Sequence, residues 1–374
     1  MASFQATTEE RAGATAQLTA QSTTEKVTAE KVAADQPRVP SESMLPGAPW
    51  LLAHKSMLSV NKPMKVSLYG HDYMLWKDSN DAVQALSNVC PHMGAMLSEG
   101  WCEPQPDGSS KVVCPFHALE FDGEGCTVLP STLKNTLKKT RSQISPLELI
   151  IQGDFIWSYG GVEPKVPIPD VLNEVNRNYQ LVGATGEASV NTPLLPMLLN
   201  MHDYNHQNGT HREMFRIKEV QFERFADNGH HSEAFMRMPK ASPTRAEVLK
   251  NPAVLTMPTV IEALLENHFP SIVMFHGETV AGPIVQCHFF VPESAQRTRT
   301  YVLLFAQPKS PIFWLMRKSF LKLVATVVEQ DADILSKLYV DQPQKIKLNN
   351  EVGMDWVRRN FASWPEIALP NLSR

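Results

Sequence analysis

Two short motifs constrain this chain more than any other feature: Cys90-Pro91-His92 and, after 21 intervening residues, Cys114-Pro115-Phe116-His117. Two thiols and two imidazoles at this spacing require a pair of loops held side by side around a metal centre. Both loops are punctuated by small residues, Gly94 and Gly100 after the first pair and Gly123 and Gly125 after the second. Such residues, with proline, let backbone N–H groups approach sulfur atoms closely. A Cys2His2 zinc site accepts the same donors. A two-iron cluster divides them differently, with Cys90 and Cys114 on one iron and His92 and His117 on the other.

A second constellation follows. Asn200-Met201-His202-Asp203-Tyr204-Asn205-His206-Gln207-Asn208-Gly209-Thr210-His211 contains N-x-x-D-x-x-H-x-x-x-x-H and is preceded by the apolar stretch Leu194 to Leu199. If the helix expected there continues, Asp203 and His206 share one of its faces. Gly209 then ends or bends it, and His211 swings back toward His206. Two histidines and one carboxylate on one side of a ferrous ion leave positions open for dioxygen and substrate. Far downstream, Val327-Val328-Glu329-Gln330-Asp331-Ala332-Asp333 lies in a helical pattern and can supply the carboxylate. Asp331 and Asp333 are the two candidates, and two positions along a helix point them to different faces. Single histidines or acidic pairs on helices are usually caps or solvated surface; the order of all three segments gives them weight.

In that order the motifs resemble the catalytic (alpha) subunit of Rieske non-haem iron oxygenases, a family with ring-hydroxylating, pheophorbide a oxygenase-like and vanillate demethylase-like branches. The cluster loops are similar to C-x-H-R-G-A-x-L and C-P-Y-H-G-W-x-F-D-x-x-G, with Met93 in place of the usual Arg and Ala118-Leu119 in place of Gly-Trp. The resemblance implies that Cys90, His92, Cys114 and His117 hold a [2Fe-2S] cluster and that His206, His211 and Asp331 hold a mononuclear Fe(II). It implies that Asp203 bridges the two metals across subunits of a homotrimer, and that Asn200 orients dioxygen or substrate beside the iron. His202 has no counterpart and is expected to be structural. Electrons would come from a ferredoxin or flavin reductase. No G-x-G-x-x-G segment opens a helix here, so NAD(P)H would act only through that partner. The implied reaction is hydroxylation, demethylation or desaturation of an apolar organic substrate with O2, with a lean toward monooxygenase or demethylase chemistry. A Rieske electron carrier or redox sensor with a ligand-binding second domain is the alternative.

The expected fold is α+β: a disordered tail over 1–45, an antiparallel β Rieske domain over 46–163, and a helix-grip catalytic domain over 164–374. The tail is rich in Thr, Ala, Gln and Glu and cannot repay its ordering entropy. Its Glu9, Glu10, Glu25 and Glu30 argue against a transit peptide. In the first domain Lys65–Tyr69 and His71–Trp76 read as strands around Gly70, and Val162 to Pro169 as a linker. In the second, strands are expected over 213–224, 232–238, 271–275, 284–291 and 300–306, with a long helix over 312–340. Candidate pocket walls are Leu199, Met236, Met238, Val260, Ile261, Leu264, Phe275 and Phe289. Cys102 and Cys126 are expected as thiols, Cys287 as a core residue and His230-His231 as turn or strand surface. A net charge of −4 gives no electrostatic case for nucleic acid. Arg317, Lys318 and Lys322 interrupt the apolar run after Pro311 too early for a membrane span, so a soluble, cytoplasmic protein with at most weak membrane association is expected.

Overall fold

The computed structural model describes residues 44–128, 143–340, 342–367 and 369. The tail expected to be disordered lies outside these residues except for Met44 and Leu45, and both of those are buried. They are large apolar side chains at the end of a segment that has almost none, and the core begins with them.

Three small antiparallel sheets form the N-terminal part. β1 (Trp50–His54), β10 (Phe155–Ser158) and β9 (Ile150–Gln152) make one; β2 (Met64–Leu68), β3 (His71–Lys77) and β4 (Val83–Ser87) another; β5 (Trp101–Pro104), β6 (Ser110–Val113), β7 (Glu120–Phe121) and β8 (Thr127–Val128) the third. The β2–β3 hairpin closes on Tyr69 and Gly70, at φ 54° and 85°. Two left-handed residues match the twist of the strands they join.

A seven-stranded antiparallel sheet forms the rest, in the order β11 (Gln180–Val190), β17 (Arg297–Ala306), β16 (Gly282–Ser294), β15 (Ile272–Thr279), β14 (Val260–His268), β13 (His231–Pro239), β12 (Gln221–Asn228). Its middle is buried on both faces. β1 and β10 cover one face, where Leu51, Phe155 and Trp157 pack on Met274, Cys287, Phe289 and Tyr301. The Tyr301 hydroxyl donates to the Leu51 carbonyl at 2.7 Å and Arg299 to that of Leu52 at 2.7 Å. The N- and C-terminal parts therefore share core residues.

α1 (Val171–Asn178) packs on the same face as β1 and β10, through Leu172 and Val175. The opposite face is gripped by helices from among α2 (Leu194–His202), α3 (Arg212–Phe215), α4 (Arg245–Lys250), α5 (Ile312–Leu315), α6 (Arg317–Leu335) and α7 (Val352–Ala362). α6 lies along β11, where Thr185 donates to the Leu321 carbonyl at 2.9 Å. At Gly186, φ 63°, an added Cβ would stand 2.8 Å from Val328, so glycine lets the helix press onto the strand. Among the described residues no helix is long and apolar enough to cross a membrane.

Four expectations need correction. The single helix over 312–340 is two, broken at Met316, where the Arg317 guanidinium turns to the Val182 carbonyl, and it stops at Leu335. The strand expected over 213–224 starts only at Gln221, because 212–215 form α3. That expected over 271–275 runs on to Thr279. β11 and β14 were not anticipated: β11 is diluted by Gly183, Ala184, Gly186 and Ala188, and Leu264-Leu265 masks the alternation of β14.

Candidate metal centres and active site

The two Cys/His loops are built alike. In the first, Cys90 N–H donates to the Ala95 carbonyl and Gly94 N–H to the Cys90 carbonyl, each at 2.9 Å. In the second, Cys114 N–H donates to the Leu119 carbonyl at 2.9 Å and Ala118 N–H to the Cys114 carbonyl at 3.0 Å. Both loops turn through a left-handed residue, Gly94 at φ 73° and Ala118 at φ 52°. Cys90 and Cys114 are buried and His92 and His117 exposed. The imidazoles face each other, Nδ1 to Nδ1, at 3.1 Å. Burial pushes the Cys90 thiol up, and the adjacent Cys114 adds to the shift.

The sulfurs thus pair inside and the nitrogens outside. Donors of one tetrahedral zinc would all lie within about 4 Å of one another, given metal–ligand bonds of about 2.0–2.3 Å. Among the described residues no three of these four donors close to within 4.8 Å, although His206, His211 and Asp331 do. Two separate pairs fit a two-iron cluster and not a single ion. Cys102, Cys126 and Cys287 are free, the last fully buried as expected.

The second site sits at the end of α2. The helix stops at His202, and Asp203 is extended, so Asp203 and His206 do not share a continuous helix as expected. Beyond the helix the Asp203 carbonyl accepts both the His206 backbone N–H, at 3.3 Å, and His206 Nδ1, while one carboxylate oxygen accepts the Asn205 N–H at 3.0 Å. A 3-10 turn, His206–Asn208, leads through Gly209 to His211 at the start of α3. His211 Nδ1 donates to the Gln330 side-chain oxygen at 2.8 Å. With both Nδ1 atoms engaged, the two Nε2 atoms face the Asp331 carboxylate, at 3.2 Å from His211 and 3.9 Å from His206. His211 Nε2 and Asp331 Oδ1 are buried and have no hydrogen-bond partner, and the Gln207 amide stands 3.1 Å from His206 Nε2. Unpaired buried polar atoms are costly, and three converging N and O donors of this kind fit a divalent first-row metal.

Electrostatics follow from the crowding. Burial would raise the Asp331 carboxyl, but His211, His206 and the Asn200 amide hold it below its ordinary value. Burial lowers His206 despite Asp331, whereas at His211 the carboxylate and Gln330 outweigh burial and raise it. Asp333 points away and pairs with Lys337 at the surface. His202 is buried against Trp356 and donates to the Leu198 carbonyl at 2.7 Å; burial pushes it down to about 4, as befits a structural residue.

Above the triad opens a cavity with about 1200 Å³ of empty space, counting its mouth. Met236, Met238, Ile261 and Phe275 line it as expected, joined by Leu265, Leu304, Phe320 and Leu323. Leu199, Val260, Leu264 and Phe289 do not line it. Val260 and Leu264 occupy the other parity of β14, and Phe289 faces β1 and β10. Sequence reasoning also missed Gln330, Gln286 and His288; His288 is buried beside Asp331, and burial pushes it down to about 4. Gln330 lay within the quoted acidic segment, but its residue type carries no signal of its own.

A β-rich domain with paired sulfur and nitrogen loops is thus joined to a helix-gripped sheet with a two-histidine, one-carboxylate floor. Residues 49–140 match the Rieske [2Fe-2S] domain. The dicamba O-demethylase oxygenase component of Stenotrophomonas maltophilia is 28% identical over 168 residues, 44% of this chain and 47% of that protein. The 3-ketosteroid-9-alpha-monooxygenase oxygenase component of Rhodococcus rhodochrous is 35% identical over 116 residues, 29% of this chain and 28% of that one. The aligned part thus spans less than half of these relatives' length. In three dimensions, dicamba monooxygenase bound to dicamba superposes with a TM-score of 0.65 at 18% identity, over 85% of this chain and 96% of that one. The chain thus carries a Rieske [2Fe-2S] domain and is homologous to catalytic subunits of Rieske oxygenases.

Proposed function

We propose that this chain is the oxygenase component of a two-part system that oxidises an apolar organic substrate with O2, working as a monooxygenase or demethylase. The observation that carries the reading is the convergence of His206 Nε2, His211 Nε2 and Asp331 Oδ1 on the floor of an apolar cavity. These three would hold a mononuclear Fe(II), and Cys90, Cys114, His92 and His117 a [2Fe-2S] cluster. When bound, the cluster would supply electrons singly and the iron the chemistry of O2.

The chain's own groups do the rest. The Asp203 carbonyl and Gln330 fix the two rings so that their Nε2 lone pairs face inward. Asn200, whose amide reaches Asp331, orients the carboxylate and the small reactant beside it. Met236, Met238, Phe275 and Phe320 exclude water and hold an apolar substrate. The relatives' names give dicamba and a 3-ketosteroid as such molecules.

The reading extends to assembly. His92 and His117 are exposed, as are Val89, Met93, Met96 and Phe116 in the same two loop segments and Trp101 at the start of β5, and Phe116 lies against the His117 ring. Exposed apolar surface of this kind is costly to leave in water and suits a docking face. It would receive the reductase or ferredoxin and, in a homotrimer, the neighbour's Asp203, whose carboxylate would relay between cluster and iron site. Residues 46–163 would be the electron-transfer half and 164–374 the catalytic half of a cytoplasmic protein. Trp314 and Leu315, exposed near Lys318 and Lys322, would give at most weak membrane contact.

Iron and acid-labile sulfide counts on anaerobically purified protein test this reading. Three irons and two sulfides per chain, with a Rieske-type EPR signal after reduction, are expected; two irons that stay at two after ferrous reconstitution would leave only an electron carrier. His206→Ala should keep the visible absorption and lose substrate oxidation.

A further inference from the structure

The outer face of the large sheet carries a further convergence of metal-type donors. It lies on the part of β13, β14 and β15 that is not fully covered. His231 of β13 and His268 of β14 are direct cross-strand partners, with ring centroids 4.8 Å apart. Glu266 lies two residues before His268 on the same face of β14. One Glu266 oxygen stands 3.0 Å from His268 Nε2 and 3.6 Å from His231 Nε2. The other stands 3.0 Å from Nε2 of His276, on β15. His231, Glu266 and His268 offer atoms that all lie within 4.8 Å of one another.

Three features separate this group from an ordinary charged surface. All three rings present Nε2 to the same carboxylate, leaving every Nδ1 on the far side. The four side chains are only about a fifth to a third exposed, at 31%, 21%, 21% and 27% for His231, Glu266, His268 and His276. None of them touches the residues that line the cavity floor, because in β13, β14 and β15 alternate side chains take opposite faces.

We propose that His231, His268 and Glu266 form a third metal site, for a divalent first-row cation of the zinc type. His276 positions the carboxylate by donating to its second oxygen. Two neutral imidazoles and a carboxylate are the donor set that zinc accepts in three-ligand sites, with a further position open to water. Binding requires each ligating ring to carry its proton on Nδ1, so Nε2 is free to donate its lone pair. A partner that fixes a ligating group from behind is worth roughly 10–100-fold in metal affinity. A cation there would tie β13 to β14, the two strands whose other faces carry Met236, Met238, Ile261 and Leu265 of the cavity.

Zinc titration of the anaerobic, iron-loaded holoprotein tests the site, with metal analysis after gel filtration and calorimetry. One zinc per chain should be retained while iron and sulfide counts stay constant. Glu266→Gln and His268→Ala should each lower zinc affinity at least about tenfold, and His276→Ala about 10–100-fold. Asp331→Ala should leave it unchanged, which separates this site from the triad. A measurement on the unaltered protein guards against variants that fail to fold: zinc should protect His231 and His268 from carbethoxylation, read by peptide mass spectrometry. No retained zinc, retention indifferent to Glu266→Gln and His268→Ala, or modification of both rings unaffected by zinc would overturn the proposal.

Discussion

Gln330 offers the sharpest test of how the triad is held. Its side-chain oxygen is the acceptor for His211 Nδ1 at 2.8 Å, and His211 is fully buried. Water therefore cannot replace it. In Gln330→Met the Nδ1–H stays inside without a partner, at a cost of about 1–3 kcal/mol. The ring recovers that cost by turning or by moving its proton to Nε2, and either change spoils the inward lone pair. The loss falls on iron binding, where about 1.4 kcal/mol is one tenfold step, so ferrous affinity should drop roughly 10–100-fold. The assay is retention of mononuclear iron against a ferrous chelator under anaerobic conditions, with cluster absorption followed in the same sample. Glu329→Gln, one residue earlier and exposed, is the control. Affinity within twofold of the unaltered protein would refute the argument that Gln330 orients His211. Cluster colour lost in step with the iron would refute the separation of the two sites.

Other consequences follow from single features. Ala118 sits at φ 52° where its counterpart Gly94 sits at φ 73°; Ala118→Gly should stabilise the cluster loop by about 0.5–1 kcal/mol, the relieved strain exceeding the added chain entropy, and denaturant midpoints will show it. His202 is held neutral inside, down to about 4 from 6.5. The unfolded chain takes up that proton first, so its stabilising contribution is full above pH 6.5 and is lost as pH falls toward 4, by up to about 3 kcal/mol. His202→Gln should flatten the pH dependence of the urea midpoint over that window; an unchanged slope would remove the effect. Met93 is 65% exposed beside His92, and Met93→Glu should slow reduction of the cluster by its electron donor several-fold while leaving its absorption unaltered, as stopped-flow measurements will show.

The sequence made the candidate donors readable because each donor pair is local. Cys90 with His92, Cys114 with His117, and His206 with His211 are separated by a few residues, and side-chain chemistry alone marks them. Asp331 was picked out only through the resemblance of its helical segment far along the chain; in the fold it stands beside His206 and His211, while Asp333 turns to Lys337. What surrounds the ligands was harder to read. The apolar stretch ends at Leu199 and no residue type after it marks where the helix stops; the backbone leaves it at Asp203, whose carbonyl then accepts both the backbone N–H and Nδ1 of His206. No propensity encodes that arrangement. Pocket walls on β14 were assigned to both parities at once, since Val260-Ile261 and Leu264-Leu265 are apolar pairs. Only cross-strand register decides which member of each faces the cavity.

The same register sets a condition on any influence of the outer histidines on catalysis. Met236, Met238, Ile261 and Leu265 face the cavity from β13 and β14, while His231, Glu266 and His268 face outward from the same strands. The two sets share backbone and no side-chain contact, so the only route between them is the spacing and twist of the ladder. A cation bridging His231 and His268 would hold one end of that ladder, where the β12–β13 turn at Gly229 and the end of β14 meet. Zinc should then slow amide hydrogen exchange in β13 and β14 and lower KM for an apolar substrate with little change in kcat, because the proposed iron site lies across the cavity at Asp331. Glu266→Gln should abolish the zinc effect on KM, while Met238→Ala should raise KM with and without zinc. An equal zinc effect in Glu266→Gln would mean that the ion acts elsewhere, and a fall in kcat alone would place it at the iron triad.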